Sequence, residues 1–174
     1  MSGEPEDWAD SCDWEGKLRD VIASSSSPVH LVGVGNGLRT DDAVGLEIIS
    51  ALLSRIGASP VPGLRVHPTS VMPERLLSRL ASKPGRIVVF DAVESAQKPG
   101  VVVFSRLSDT KYGFFATHNI PLRLIPGIEG RQNEVFIVGV QPESLEVGEG
   151  LTDRVSASAR RVVEIVAAAV ELRA

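Results

Sequence analysis

The sequence has little cysteine and no long hydrophobic segment. A single cysteine, Cys12, excludes an intrachain disulfide and a cysteine-rich metal site. No apolar run reaches the roughly 20 residues that a membrane-spanning helix needs, and the nearest candidate, residues 162–172, is interrupted by Glu164 and Glu171. Residues 1–14 are acidic and lack the basic and apolar regions of a signal peptide. We therefore expect a cytoplasmic protein that does not insert into a membrane.

The chain also lacks an excess of positive charge, and aromatic residues are few. The net charge is −4 at pH 7, and the adjacent Arg160 and Arg161 do not make a basic face, so we expect no nucleic-acid partner. Aromatic residues make up only 5% of the chain. Val, Ile, Leu and Ala must therefore do most of the packing, which is common when a parallel sheet is covered by helices. The length of 174 residues suits one domain with a substantial core.

The spacing of apolar residues predicts alternating strands and helices. A short amphipathic helix is predicted near the N-terminus, because Trp14, Leu18 and Ile22 share one helical face. Predicted strands then lie at residues 30–34, 64–67, 86–91, 100–104 and 134–140. Predicted helices lie at residues 40–55, with Thr40 as N-cap, from Pro73 onward, and at residues 155–166.

This order of elements is typical of an α/β domain. We predict a three-layer sandwich, in which a mostly parallel twisted sheet has helices on both faces. Residues 1–28 are expected to form an N-terminal tail and the short amphipathic helix. Residues 29–174 are expected to form the functional domain.

A glycine-rich loop follows the first predicted strand, as Gly33-Val-Gly-Asn-Gly37. Such a loop invites a dinucleotide-binding interpretation, but Leu38 occupies the position of the third glycine of that motif, and the second strand lacks the expected acidic residue. The loop is better interpreted as a tight turn that directs Asp41 and Asp42 toward a cleft. Consecutive helical residues point about 100° apart, so these two carboxylates are expected to have different roles.

Three candidate site residues follow the carboxyl ends of predicted strands, where α/β sheets bind their ligands. These are Asp42, Asp91 and His118. Taken alone, each has an ordinary interpretation: Asp42 as a charge at the start of a helix, Asp91 as a cap of the following loop, and His118 as a surface histidine. Together they make a mixed oxygen and nitrogen site that suits nickel or zinc, with a position left open for water or substrate. His30 and His67 lie within predicted strands and are assigned no ligand role.

Four segments resemble those of the hydrogenase maturation proteases, in particular an archaeal branch related to the hydrogenase 3 processing enzymes. They are Gly33-Val-Gly-Asn-Gly-Leu-Arg-Thr-Asp-Asp-Ala-Val-Gly45, Ile87-Val-Val-Phe-Asp-Ala-Val93, Thr117-His-Asn-Ile-Pro-Leu122 and Val138-Gly-Val-Gln-Pro142. They occur in the order that the family shows, and the match extends from about Val29 to the C-terminus.

This resemblance implies an endopeptidase that removes a short C-terminal peptide from the large-subunit precursor of a [NiFe] hydrogenase after nickel insertion. Asp42, Asp91 and His118 fall where the family has its two acidic ligands and its histidine. The resemblance further implies that the substrate supplies the nickel and that no cofactor is tightly bound at rest. Whether the ion or a carboxylate activates the attacking water stays open, so the protease class is either aspartic or metallo-type.

Two other functions fit the same residues. One is a different metal-dependent hydrolase on the same fold, with a resident metal at the three site residues. The other is a non-catalytic module that binds or escorts nickel proteins. Metal content distinguishes the first, and complex formation without cleavage distinguishes the second.

Overall fold

The computed structural model describes residues 13–56, 61–68, 73–109, 128 and 133–173. The helices and strands of this part of the chain are α1 (Trp14–Ala23), β1 (Val29–Gly33), α2 (Val44–Ile56), β2 (Leu64–Val66), α3 (Pro73–Ala81), β3 (Gly85–Ala92), β4 (Val102–Arg106), β5 (Asn133–Val140) and α4 (Asp153–Glu171). Two short 3₁₀ turns, Thr40–Ala43 and Leu107–Asp109, complete the regular structure of the described residues.

The five strands form one sheet in the order β2-β1-β3-β5-β4. The pairs β1–β2, β1–β3 and β3–β5 are parallel, whereas β4 runs antiparallel to β5 at one edge. The parallel strands β1, β3 and β5 are nearly continuous runs of buried apolar residues, because helices cover both of their faces. The prediction of a mostly parallel sheet is confirmed.

Helices cover both faces of this sheet, which confirms the three-layer sandwich. On one face α1, α2 and α4 pack into the larger apolar cluster, with Leu18, Ile48 and Val162 fully buried. On the other face α3 contributes Leu77 and Leu80 to a second cluster. Among the described helices, none is both long enough and apolar enough to cross a membrane.

The N-terminal helix α1 packs on the body of the protein. Asp13 caps it by accepting a hydrogen bond from the Gly16 amide at 3.1 Å. The Glu15 carboxylate and the Arg161 guanidinium form a two-bond ion pair that links α1 to α4, each bond at 2.8 Å. The apolar face of α1, which the sequence predicts, therefore lies against α4.

The prediction that Thr40 caps the first long helix is wrong. Residues Thr40–Ala43 form a 3₁₀ turn, and α2 begins only at Val44. The Thr40 hydroxyl donates instead to the Ser144 carbonyl at 2.7 Å and approaches the Glu146 carbonyl at 3.2 Å. The Thr40 hydroxyl therefore bonds to a loop more than 100 residues later in the chain and does not cap the helix.

Candidate active site

Two of the three predicted site residues lie at the same edge of the sheet. Asp91 is the penultimate residue of β3, and Asp42 lies in the 3₁₀ turn that follows β1. The two strands are parallel neighbours, with Gly33 opposite Phe90, so their carboxyl ends meet. The side chains are almost fully buried, with 0% of Asp42 and 2% of Asp91 exposed.

Glycines at three positions allow the 3₁₀ turn to approach the strand ends closely. A Cβ atom on Gly45 would lie 2.2 Å from the Phe90 carbonyl oxygen and 2.3 Å from that of Val34. A Cβ on Gly35 would lie 2.3 Å from the Asp42 carbonyl oxygen, and one on Gly33 at 2.3 Å from that of Gly45. The glycine loop therefore packs against the backbone of its own following helix. Gly33 and Gly35 of this loop allow the contact, which supports the interpretation as a tight turn.

Asp91 is the strongly perturbed acid of the site. Its Oδ1 accepts a hydrogen bond from the Ala92 amide at 2.8 Å, and its Oδ2 has no hydrogen-bond partner among the described residues. Burial raises the pKa of the Asp91 carboxyl well above its usual value. The Ala92 hydrogen bond lowers this pKa, and the negative charge of Asp42 raises it further. The two carboxyl groups are therefore electrostatically coupled.

The Asp41 carboxylate is hydrogen-bonded to a distant segment of the chain. Its Oδ2 accepts hydrogen bonds from the amides of Glu143 at 2.8 Å and Ser144 at 2.9 Å. Its Oδ1 accepts from the Thr152 amide at 2.7 Å, and the Thr152 hydroxyl donates to Oδ2 at 3.0 Å. This fully buried carboxylate ties the 3₁₀ turn to the chain between β5 and α4, and so fixes where Asp42 lies.

The loop after Asp91 is held by Gln141, a residue to which sequence reasoning assigned no role. Its Oε1 accepts hydrogen bonds from the Ser95 amide at 2.8 Å, the Ser95 hydroxyl at 3.1 Å and the Gln97 amide at 3.3 Å. Between these residues Ala96 adopts a positive φ of 55°. The only signal in the sequence was the position of Gln141 directly after the last strand, at the same sheet edge.

The third predicted site residue, His118, lies outside the described residues. Within the part of the chain that the structure describes, no group of three or more His, Cys, Asp or Glu side chains is placed to hold a metal ion. Asp42 and Asp91 place two carboxyl groups at this edge of the sheet, which is fewer than the three side chains of such a group. Carboxylate oxygens suit divalent cations, and the unpartnered Asp91 Oδ2 has the chemistry of a ligand atom.

The other two histidines contact each other at the opposite end of β1. His30 Nδ1 and His67 Nε2 are 3.0 Å apart. Burial lowers the pKa of both rings, and the nearby charges of Arg65 and Lys83 add to this effect. Together with the charge of His30 they bring the pKa of His67 to about 4. The positive charge around these rings disfavours a bound cation there.

Comparisons with known proteins agree on one family. The family model described as HycI, hydrogenase maturation protease, matches residues 70–169. The hydrogenase 2 maturation protease of Escherichia coli is 30% identical over 81% of this chain and 89% of the relative. The crystal structure of the [NiFe] hydrogenase maturation protease HycI from Thermococcus kodakarensis superposes with a TM-score of 0.73 at 25% identity, covering 89% of this chain and 99% of that one. The structure of the hydrogenase maturating endopeptidase HybD from Escherichia coli superposes with a TM-score of 0.59 at 26% identity. This match covers 83% of this chain and 92% of that one.

Proposed function

This chain belongs to the hydrogenase maturation protease family, and we propose that it removes a C-terminal peptide from the nickel-loaded large-subunit precursor of a [NiFe] hydrogenase. The observation that carries the proposal is the buried, coupled pair of carboxyl groups, Asp42 and Asp91, at the carboxyl edge of the sheet. The precursor supplies the nickel, and the chain holds no tightly bound cofactor of its own.

The electrostatics of the pair suit recognition of a cation that arrives with the substrate. Burial and the charge of Asp42 both disfavour the ionised form of Asp91. A divalent ion between the two carboxyl groups offsets their repulsion and stabilises ionised Asp91. The nickel-free precursor offers no such compensation. The pair therefore favours the precursor that has already received its metal.

The ligand set of the proposed encounter combines both partners. Asp42 and Asp91 supply carboxylate oxygens, His118 supplies an imidazole, and the precursor keeps its own ligands on the nickel. This shared coordination places the scissile peptide beside the carboxyl groups. An attacking water is then activated either by the ion or by a carboxylate acting as general base.

A cleavage assay tests the proposal directly. Purified protein is mixed with nickel-loaded and nickel-free precursor from the same organism, and loss of the C-terminal peptide is followed by mass spectrometry. We expect cleavage of the nickel-loaded form alone. Cleavage of both forms at one rate would refute recognition of nickel, and a stable complex without cleavage would favour the binding-module function.

Matched variants test the site residues in the same assay. Asp42→Asn, Asp91→Asn and His118→Gln should each lower the cleavage rate at least about 100-fold, the scale of a lost general base or metal ligand. Asp20→Asn, an exposed acid on α1, is the control and should cleave normally. Normal cleavage by any of the first three variants would remove that residue from the site.

The metal content of the protein tests the cofactor proposal. Protein purified without chelators is analysed by elemental mass spectrometry. We expect nickel and zinc well below one ion per chain. A stoichiometric ion that Asp42→Asn or Asp91→Asn removes would instead favour a hydrolase with a resident metal.

A further inference from the structure

Two loops beside the candidate site are bonded into one unit. The paired loops, defined as residues 36–40 and 143–148, meet at a parallel bridge between Arg39 and Gly148. The Gly148 amide donates to the Leu38 carbonyl at 3.1 Å, and the Thr40 amide donates to the Gly148 carbonyl at 2.9 Å. Arg39 Nε donates to the Leu145 carbonyl at 2.9 Å. The first of the paired loops leads directly into the turn that carries Asp42.

The paired loops expose two large aliphatic side chains. Leu38 is 69% exposed and Val147 is 88% exposed. Leu38 and Val147 each come directly before a bridged residue, Arg39 and Gly148 respectively. Single exposed aliphatic residues are common, but two on one hydrogen-bonded pair of loops form a small apolar surface.

The surroundings of this apolar surface are acidic. Glu143, Glu146 and Glu149 lie exposed on or directly after the second of the paired loops. Arg39 is the basic side chain that the paired loops contain, and its Nε is already bonded to a carbonyl. A partner with aliphatic and basic side chains would therefore match this surface both in shape and in charge.

We propose that the paired loops are a docking surface for the precursor, which rests on the proposed function above. Leu38 and Val147 bury an aliphatic side chain of the precursor, and the glutamates attract Lys or Arg side chains that flank it. The surface is continuous with the site, because Leu38 lies four residues before Asp42 in the same turn-and-loop segment. A protein substrate that brings a peptide bond to these buried carboxyl groups must lie across the rim around them.

Equilibrium binding of nickel-loaded precursor, measured by calorimetry, tests the apolar part. Leu38→Ser and Val147→Ser should each raise Kd about tenfold, the scale set by burial of one aliphatic side chain. Leu172→Ser is a matched control, because Leu172 is also 69% exposed but lies just after α4. In cleavage assays the first two variants should raise KM much more than they lower kcat. Wild-type Kd in both of them would overturn the proposal.

The acidic part is tested by charge removal and salt. Glu146→Gln combined with Glu149→Gln should slow association at low ionic strength, and the difference from wild type should shrink as salt rises. Glu171→Gln, an exposed acid on α4, is the control. An association rate unchanged by the double substitution would overturn the expected basic character of the partner.

The binding measurement separates this inference from the proposed function. If the wild-type chain binds precursor without cleaving it, and Leu38→Ser weakens that binding, the docking surface is supported and the endopeptidase function is refuted. If precursor is cleaved and Kd is equal for wild type and variants, the endopeptidase function is supported and the docking surface is refuted. If the wild-type chain binds no precursor, both are refuted. A wild-type dimer that Leu38→Ser dissociates would make a second copy of the chain the occupant and overturn the inference.

Discussion

Substituting Gly45 with alanine should damage both the fold and the site. The added Cβ would lie 2.2 Å from the Phe90 carbonyl oxygen, whereas real Cβ atoms essentially never come closer than 3.0 Å to another atom. The backbones must therefore separate by at least 0.8 Å, the difference between these distances. Both close contacts are with backbone, so no side-chain rotation can relieve them. The movement would displace the turn carrying Asp42 from the end of β3.

The expected cost follows from this overlap. Overpacking costs about 1–3 kcal/mol, and the upper end applies here because both neighbours are backbone. Alanine in a helix is more stable than glycine by about 0.5–1 kcal/mol, which offsets part of this cost. We expect a net loss of about 2 kcal/mol for Gly45→Ala. In a domain of this size that loss lowers Tm by about 4–8 °C.

Thermal unfolding followed by circular dichroism measures this effect. Gly37→Ala is the matched control, because a Cβ there meets nothing within 4 Å, and its Tm should stay within about 2 °C of wild type. At a temperature where both variants are folded, Gly45→Ala should also cleave precursor more slowly than Gly37→Ala. Equal Tm values for both variants would refute the argument that Gly45 sets the approach of the turn to β3.

Three further predictions concern titrating and buried polar groups. Asp91→Asn should lower the cleavage rate at least about 100-fold but raise Tm, and raise it more at pH 7 than at pH 4. The raised pKa of Asp91 makes the folded state lose stability as pH rises above the unfolded pKa of about 4, and the substitution removes this loss. The contribution of His67 to stability should be fully present above about pH 6.5 and fall by about 1–2 kcal/mol toward pH 4, because its folded pKa is about 4 and its ring is partly screened by solvent. The difference between the urea midpoints of wild type and His67→Asn at both pH values measures this contribution. Asp41→Asn should lower the free energy of unfolding by about 1–3 kcal/mol in urea titrations, because an amide cannot accept all four hydrogen bonds, whereas Asp20→Asn should not.

The layers of the fold could be predicted because their signals are local. The apolar run at residues 86–91 predicts β3, which spans Gly85–Ala92, and Pro73 marks the observed start of α3. Alternation of strands and helices then restricts the sheet to a mostly parallel order. The position of Asp91 at the carboxyl end of β3 follows from the same pattern.

The roles of Asp41, Thr40 and Gln141 could not be predicted, because their partners are distant in sequence. The Asp41 carboxylate accepts from residues 102 to 111 positions later, and Gln141 reaches back 46 positions to Ser95. Local propensity assigns Thr40 to a helix cap, and only the folded chain brings Ser144 to its hydroxyl. The sequence likewise showed two strand histidines but not that they face each other across β1 and β2.

The dependence of Asp41 on residues 143–152 also sets when the site is completed during folding. The buried carboxylate has none of these four hydrogen bonds until β5 has formed and the chain has turned back toward the start of α4. Closing a loop of more than 100 residues is slow and entropically costly. We therefore expect the position of Asp42 to be fixed late, after most of the sheet has assembled. A partly folded chain carries both carboxyl groups but does not yet hold them together, so the arrangement proposed to recognise nickel forms only in the finished fold.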